Sequence, residues 1–284
     1  MLLALDIGNS RIKWGLYSGL KCTAIGRLET REFLGADPAA YEFEPATPLS
    51  AASGTAAAKA VAPRPGPLQA EWLAGVHGLA VCSVAGSAVE FGLLQHLHRL
   101  GLPELPVYRV QAQARALGVV NGYADPTRLG ADRWAALVAA RALGTAPTVV
   151  VMAGTATTVD ALDGDGHFLG GYILPGLRLM PKSLYERTAG IRPGEGAWSE
   201  FPTVTADAVA SGVLAASAGA VAAMVVSLWR HGGARHTVRT LVSGGNGPAL
   251  LPSMEHMELA PTYERDLVLQ GVARLFRASQ GGID

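Results

Sequence analysis

The strongest constraint on the fold is a β-turn-β pattern that occurs twice, 146 positions apart. An ungapped match at this separation places Leu5–Asn9 on Val151–Thr155 and Leu16 on Leu162. In both copies an apolar run leads into a glycine turn, and a second strand follows. Two such units half a chain apart predict a duplicated domain with a cleft between the copies.

Periodicity outside this pattern predicts an α/β chain. The predicted strands are 2–5, 12–16, 23–28, 79–84, 106–110, 149–152, 159–162, 168–173 and 237–242. The predicted helices are 88–100, 129–143, 207–229 and 263–279. Ala36–Pro67 is rich in Ala, Pro and Ser and reads as a loop with one short helix. We expect an N-terminal lobe over residues 1–115 and a C-terminal lobe over residues 116–284.

Charge and cysteine content exclude several classes of protein. Lys+Arg and Asp+Glu are both 23, so the formal net charge is zero. A chain without excess positive charge is a poor binder of nucleic acid phosphates or of an acidic membrane surface. The two cysteines, Cys22 and Cys82, form no CxxC motif, which argues against a disulfide scaffold and a thiolate metal site.

One segment imitates a membrane span. Ala208–Trp229 carries no charged residue and is long enough to cross a bilayer. Its Ala, Gly, Ser and Val content is only weakly hydrophobic, so we expect a helix packed inside an α/β protein. The apolar start Met1–Leu5 lacks a basic leader and ends at Asp6, which predicts no export signal and a cytoplasmic protein.

The first glycine turn, Asp6–Ser10, has the chemistry of a phosphate site. Its backbone N–H groups can face phosphate oxygens, and a carboxylate at the end of a buried strand can hold Mg²⁺. Arg11 and Lys13 lie on one face of the following strand, where Lys13 can neutralise phosphate charge. The alternative is an ordinary β-hairpin in which Asp6 caps the turn.

Three later glycine-rich segments suit the same ligand. Gly154–Thr158 offers hydroxyls and backbone donors, although threonine is also favoured in any strand. Gly170–Gly176 ends a strand, and Ser243–Gly247 opens a helix whose N–H groups can meet a nucleotide.

A second carboxylate, Asp132, lies at the start of a predicted helix within Gly130–Arg133. There it is stabilised as an anion and can accept a hydroxyl proton. The alternative is a first-turn aspartate that only stabilises the helix. Upstream, Asn121–Tyr123 and Asp125-Pro126 form a turn that can shape a substrate wall.

Taken together and in this order, these motifs resemble the type III pantothenate kinases, a branch of the actin-like ATPase and sugar-kinase superfamily. The matching segments are Asp6–Ser10, Asn121–Tyr123, Gly130–Arg133, Gly154–Asp160, Gly170–Gly176 and Arg187–Ala189. The resemblance implies two ribonuclease-H-like domains, with mixed sheets flanked by helices, around an ATP cleft. It also implies a homodimer with pantothenate pockets near the subunit interface. The implied reaction is ATP-dependent phosphorylation of pantothenate, the first step toward coenzyme A.

The resemblance also assigns roles to individual residues. The implied ATP-binding residues are Asp6, Ile7, Gly8, Asn9, Ser10, Arg11, Ile12, Lys13 and Thr155, with Asp6 also holding magnesium. Asp132 is the implied proton acceptor. The implied pantothenate contacts are Tyr123, Gly130, Ala131, Asp132, Arg133 and Thr188.

The chain departs from the family pattern at Met152, where many relatives carry an aspartate that binds potassium or ammonium. A thioether cannot replace a hard carboxylate ligand. We therefore expect weak or absent potassium dependence, or a site rebuilt around other oxygens such as those of Asp160.

Two other functions remain open. One is a non-catalytic regulatory protein, which the Met152 departure favours and which Asp6 and Asp132 disfavour. The other is a kinase of the same superfamily that acts on another small alcohol, such as a sugar. A sugar site needs many polar hydroxyl binders, and few lie near Tyr123 and Gly130–Arg133.

Overall fold

The computed structural model describes residues 1–30, 64–65, 73, 75–232 and 237–282. The loop predicted over 36–67 therefore lies outside the described residues, except for 64–65. The chain divides into two compact units. Unit 1 contains residues 1–111, 130–135 and 268–284, and unit 2 contains 112–129 and 136–267. The lobe boundary between residues 115 and 116 stays a prediction.

Unit 1 is built on a six-stranded mixed sheet in the order β4-β3-β2-β1-β5-β6. Its strands are β1 Leu2–Ile7, β2 Arg11–Ser18, β3 Lys21–Glu29, β4 Arg64–Pro65, β5 Gly78–Ser83 and β6 Val107–Arg109. The first three strands form an antiparallel meander, and β5 runs parallel to β1. Helix α1, Ser87–Arg99, follows β5.

Alternation along the strands decides what each face of this sheet packs against. Ile7, Trp14 and Val81 share one face and form a core with Leu93 and Leu97 of α1. The opposite face carries small residues where a second helix comes close. A Cβ at Gly78 would lie 2.7 Å from the Phe276 ring, and one at Gly15 would lie 3.6 Å from Leu269. Phe276 and Leu269 belong to the last helix of the chain.

Unit 2 is built on a seven-stranded mixed sheet in the order β13-β12-β9-β10-β11-β8-β7. Its strands are β7 Arg115–Ala116, β8 Val119–Asn121, β9 Thr148–Ala153, β10 Ala156–Leu162, β11 His167–Pro175, β12 Arg239–Ser243 and β13 Pro261–Tyr263. The remaining helices are α2 Ala131–Ala142, α3 Leu179–Arg187, α4 Thr205–Gly232, α5 Gly247–His256 and α6 Leu267–Ser279, and a 3₁₀ turn spans Pro126–Arg128. The first turn of α2 and nearly all of α6 belong to unit 1.

The two sheets share a topology, which confirms the predicted duplicated α/β fold. In unit 1 the order β3-β2-β1-β5-β6 matches β11-β10-β9-β12-β13 in unit 2, with the same antiparallel meander and the same parallel neighbours. The ungapped match of the second strands was wrong by one residue. Ile7 pairs with Ile12, whereas Ala153 pairs with Thr157, because the second turn is one residue shorter. Leu16 therefore corresponds to Ala161 and not to Leu162.

The long apolar helix α4 is a core helix of unit 2. By length and composition it would also cross a membrane. Ala218, Val221 and Met224 nevertheless pack with Val149 and Val159 of the sheet, as expected for a helix inside an α/β protein.

Arg239 fastens the end of α2 to the sheet of unit 2. Its guanidinium donates to the carbonyl oxygens of Ala140, Leu143 and Gly144 at 3.1–3.4 Å and to Thr148 Oγ1 at 2.9 Å. The last carbonyls of a helix lack intrahelical N–H donors, so the guanidinium of Arg239 supplies hydrogen bonds that the helix end leaves open.

Candidate active site

The first glycine turn closes β1 onto β2 with a short backbone contact. The Gly8 N–H donates to the Arg11 carbonyl oxygen at 2.9 Å. Thr30, which follows β3, reaches the same turn twice. Its N–H donates to the Ser10 carbonyl oxygen at 3.0 Å, and its hydroxyl donates to the Gly8 carbonyl oxygen at 2.7 Å. Asn9 and Ser10 are exposed, so the tip of the turn is accessible to solvent.

Asp6 sits at the centre of three neighbouring strands. It pairs with Lys13 on β2 and with Cys82 on β5. Paired residues of adjacent strands point to the same face, so all three side chains share the face opposite the α1 core. Arg11 shares that face too, and its Nε contacts Glu29 Oε1 at 3.0 Å. The predicted ATP-binding residues Ile7 and Ile12 point the other way and are buried in the core.

The second carboxylate, Asp132, is the second residue of α2. Its Oδ1 accepts a hydrogen bond from the Arg133 N–H at 2.8 Å, as helix N-termini favour. A Cβ at Gly130 would lie 2.7 Å from this oxygen, so the glycine leaves space for the carboxylate. Arg133 is buried, whereas Gly130, Ala131 and Asp132 are half-buried.

Asp6 and Asp132, which are 126 positions apart in the chain, both belong to unit 1. Burial raises the pKa of the Cys82 thiol well above its ordinary value, and the negative charges of Asp6 and then Asp132 raise it further. Both carboxylates therefore lie near the same buried, uncharged thiol. Such a pair of carboxylates beside a lysine offers a hard ligand for a divalent cation and a separate proton acceptor.

The second glycine turn, in unit 2, is held by different groups. The Gly154 N–H donates to the Ala156 carbonyl oxygen at 3.0 Å, and Asn246 Nδ2 donates to the Gly154 carbonyl oxygen at 3.0 Å. The Gly176 N–H donates to the Thr155 carbonyl oxygen at 2.9 Å. Thr155 itself is exposed at the turn. The predicted motif 170–176 does end a strand: residues 170–175 form the last part of β11, and Gly176 is the first residue beyond it.

Met152 occupies the position in unit 2 that Asp6 has in unit 1. It pairs with Thr158 on β10, and Thr158 Oγ1 contacts Asp160 Oδ2 at 3.3 Å. These three side chains share one face, where Asp160 is 1 % exposed and Met152 is half-buried. In unit 2 the carboxylate of this face therefore lies on β10, at Asp160, whereas in unit 1 Asp6 lies on β1.

Tyr123 and Thr188 also belong to unit 2 and are fixed locally. The Tyr123 N–H donates to Asn121 Oδ1 at 3.1 Å, and the Tyr123 ring packs on Phe168 with centroids 5.5 Å apart. Thr188 ends α3, and its hydroxyl donates to the Leu184 carbonyl oxygen at 2.8 Å. Thr188 is exposed, whereas the side of Tyr123 that meets Phe168 is covered.

Two features of these turns did not follow from the sequence. Thr30 lies in a stretch that matches no family motif, and Asn246 lies in Ser243–Gly247, where the expected role was nucleotide binding by backbone N–H groups. Thr30 reaches the Gly8 carbonyl through the register of β2 and β3, and Asn246 reaches the Gly154 carbonyl from the loop after β12.

Comparisons with known proteins agree with the fold and the motifs. The solved structure of a conserved putative Baf family transcriptional activator from Campylobacter jejuni matches with a TM-score of 0.56 and 19 % identity, over 98 % of this chain and 99 % of that one. A putative 2-dehydro-3-deoxygalactonokinase from Sinorhizobium meliloti matches with a TM-score of 0.55 and 15 % identity, over the full length of both chains. At these identities the likeness concerns the fold alone.

Curated relatives share more sequence. A type III pantothenate kinase of Acidovorax ebreus is 37 % identical over 96 % of this chain and 97 % of its own length. That of Dechloromonas aromatica is 40 % identical over 78 % of this chain and 79 % of its own, and that of Thiobacillus denitrificans is 49 % identical over 61 % and 69 %. The model of the type III pantothenate kinase family matches residues 2–227. The chain therefore belongs to the type III pantothenate kinase family.

Proposed function

We propose that this protein catalyses the ATP-dependent phosphorylation of pantothenate to 4′-phosphopantothenate, the first step of coenzyme A biosynthesis. The observation that carries the proposal is the first glycine turn, where Asp6 and Lys13 share one face of the unit 1 sheet, together with Asp132 in the first turn of α2 in the same unit. A kinase of this kind needs a carboxylate at the phosphate turn and a second carboxylate for the acceptor hydroxyl.

ATP would be held by the first turn. The exposed tip at Asn9 and Ser10 offers backbone N–H groups to phosphate oxygens, and Lys13 brings positive charge to the face of Asp6. Thr155, exposed at the second turn, is the proposed ATP contact of unit 2. Asp6 has the oxygen donors that Mg²⁺ prefers, and a bound Mg²⁺ would neutralise charge on the phosphates.

Asp132 would accept the proton of the pantothenate hydroxyl. Phosphoryl transfer passes through a loose transition state, so alignment dominates and the base is needed late. The contact with the Arg133 N–H fixes one carboxylate oxygen and leaves the other for the substrate. Gly130, Ala131 and Arg133 around this carboxylate, with Tyr123 and Thr188 of unit 2, are the proposed pantothenate contacts.

Two substitutions separate these roles. Asp132→Asn keeps the shape but removes the proton acceptor, so kcat should fall about 10²–10⁴-fold while MgATP binding stays intact. Asp6→Ala should instead weaken the use of MgATP and alter the magnesium dependence of the rate. Steady-state kinetics and calorimetric MgATP titration measure both. An unchanged kcat in Asp132→Asn removes it from the base role, and a normal magnesium dependence in Asp6→Ala removes that assignment.

The same assay distinguishes the other functions. ATP consumption is measured with pantothenate, with a panel of sugars and without an acceptor. Turnover with pantothenate alone supports the proposal, turnover with a sugar indicates a different alcohol kinase, and no turnover with any acceptor indicates a regulatory protein.

We also propose that the protein is a homodimer through β11 and α4. Beyond Phe168, the outer edge of β11 has no strand partner among the described residues, and Ile173 there is 65 % exposed. A groove of about 320 Å³ between β11 and α4 is lined by Tyr172, Met224 and Leu228. Apolar faces of this kind are typical of homodimer interfaces, so a second copy is the proposed occupant.

Light scattering after size exclusion tests the dimer. Ile173→Asp should yield monomer, whereas Phe91→Asp, on the equally exposed Phe91 of α1, should leave the dimer intact. A monomeric wild type, or an Ile173→Asp dimer, contradicts this interface. The zero net charge and the packing of α4 support a cytoplasmic enzyme without nucleic acid or membrane partners.

A further inference from the structure

Thr30 lies outside the predicted site and makes two hydrogen bonds to the first phosphate turn. It is 1 % exposed, so its hydroxyl is shielded from water. The hydroxyl donates to the Gly8 carbonyl oxygen at 2.7 Å, and the Thr30 N–H donates to the Ser10 carbonyl oxygen at 3.0 Å. The position is fixed by register, because Arg11 pairs with Glu29 and Thr30 therefore lies across from Ser10.

These two bonds orient the donors of the turn. A trans peptide holds its C=O and N–H on opposite sides of one plane, and no described peptide bond is cis. With the Gly8 carbonyl directed toward Thr30, the N–H of Asn9 must point away from Thr30. By the same geometry, the Ser10 carbonyl directs the Arg11 N–H away from Thr30.

We propose that Thr30 is a positioning residue for MgATP: its hydroxyl locks the Gly8–Asn9 peptide so that the turn presents its N–H donors to phosphate before the nucleotide arrives. The inference rests on the proposed function of the turn. A turn that is already ordered loses less conformational entropy when the nucleotide binds, so the nucleotide binds more tightly. Removing the hydroxyl also leaves a partly buried carbonyl without this donor.

The test compares Thr30→Val with Thr30→Ser. Valine keeps the shape and the backbone bond but lacks the hydroxyl, so the KM for MgATP should rise about three- to tenfold, the range expected for one hydrogen bond. The KM for pantothenate should not change. Thr30→Ser keeps a hydroxyl, so its KM for MgATP should equal that of the wild type. Thr23→Val is the matched control, because the Thr23 hydroxyl donates to the Leu16 carbonyl oxygen at 3.1 Å toward the far end of the same strand pair.

Each outcome decides one question. Equal KM values for MgATP in Thr30→Val and Thr23→Val, or an equal rise in both KM values of Thr30→Val, overturn the positioning role. If Thr30→Val does not fold, Thr30→Ala is titrated with MgATP by calorimetry, and wild-type affinity there overturns the role as well. A wild-type chain that does not bind MgATP overturns the proposed function itself.

Discussion

The two glycine turns occupy the same place in two copies of one topology, yet they are braced differently. Thr30 follows β3 and Gly176 follows β11, at the same register in the two sheets. The N–H of each donates to the carbonyl oxygen of the last residue of its turn, Ser10 or Thr155. Thr30 adds a side-chain bond to the Gly8 carbonyl oxygen. In unit 2 the equivalent Gly154 carbonyl is bonded by Asn246, from the loop after β12.

The shorter second turn explains why one position holds a side chain and the other does not. A Cβ at Gly176 would lie 2.3 Å from the Thr155 carbonyl oxygen and 2.5 Å from the Gly154 carbonyl oxygen. Both atoms are backbone and cannot rotate aside. Both units therefore have the backbone hydrogen bond to the last residue of the turn. The side-chain hydrogen bond to the glycine carbonyl comes from Thr30 in unit 1 and from Asn246 in unit 2.

The largest effect that tests this comparison is expected for Gly176→Ala. The new methyl group has no space against two backbone carbonyls, so the free energy of unfolding should fall by about 3 kcal/mol, at the upper end of ordinary overpacking. Gly8→Ala should cost only about 1 kcal/mol, because its Cβ would meet a single atom, the Arg11 carbonyl oxygen, at 3.0 Å. Chemical denaturation of the purified variants measures both values.

The control for this pair is Gly190→Ala, where no heavy atom lies within 4 Å of the added Cβ. It should be as stable as the wild type. If Gly176→Ala were equally stable, or if Gly8→Ala lost as much stability as Gly176→Ala, the proposed steric difference between the turns would be wrong.

The sequence predicted the parts of this fold that depend on local pattern. Alternation gave the meander strands, and α1, α2 and α4 lie within a few residues of their predicted bounds. The strands β8 and β13 were missed; each spans only three residues, as does β6, which the sequence predicted over 106–110. The prediction that the last helix begins at Tyr263 was wrong: Tyr263 is the last residue of β13, and the helix begins at Leu267. The helix α3 was missed because its residues are all at least partly exposed and carry no apolar stripe.

The site divides in the same way. Local chemistry indicated Asp6 and Asp132 separately, and the family resemblance implied that they serve one site; both belong to unit 1. The role of Thr30 depends on which residue of β3 faces Ser10, and strand register is a property of the assembled sheet. The need for glycine at position 176 likewise depends on the second turn being one residue shorter than the first. The contacts of Thr30 and Gly176 depend on long-range strand pairing and not on residue type, so they do not follow from the sequence alone.

The smallest expected effect concerns the other difference between the turns, Asp6 against Met152. Because a thioether is a poor ligand for a hard monovalent cation, activity should show no steep, saturable response to potassium. The rate is measured against KCl at constant ionic strength, with a bulky organic cation as the replacement salt. Met152→Asp places a carboxylate where unit 1 has one and should create a potassium response, whereas Met152→Leu should not.

A steep, saturable potassium response of the wild type would contradict the simple form of this prediction. Asp160 then becomes the residue to test, since it shares the face of Met152 and holds its carboxylate 3.3 Å from the Thr158 hydroxyl. Loss of the response in Asp160→Asn would mean that the second copy kept its charged function by moving the carboxylate one strand over. Retention of the response there would place the cation ligands elsewhere, and the two turns would then differ in more than the single exchange of Asp for Met.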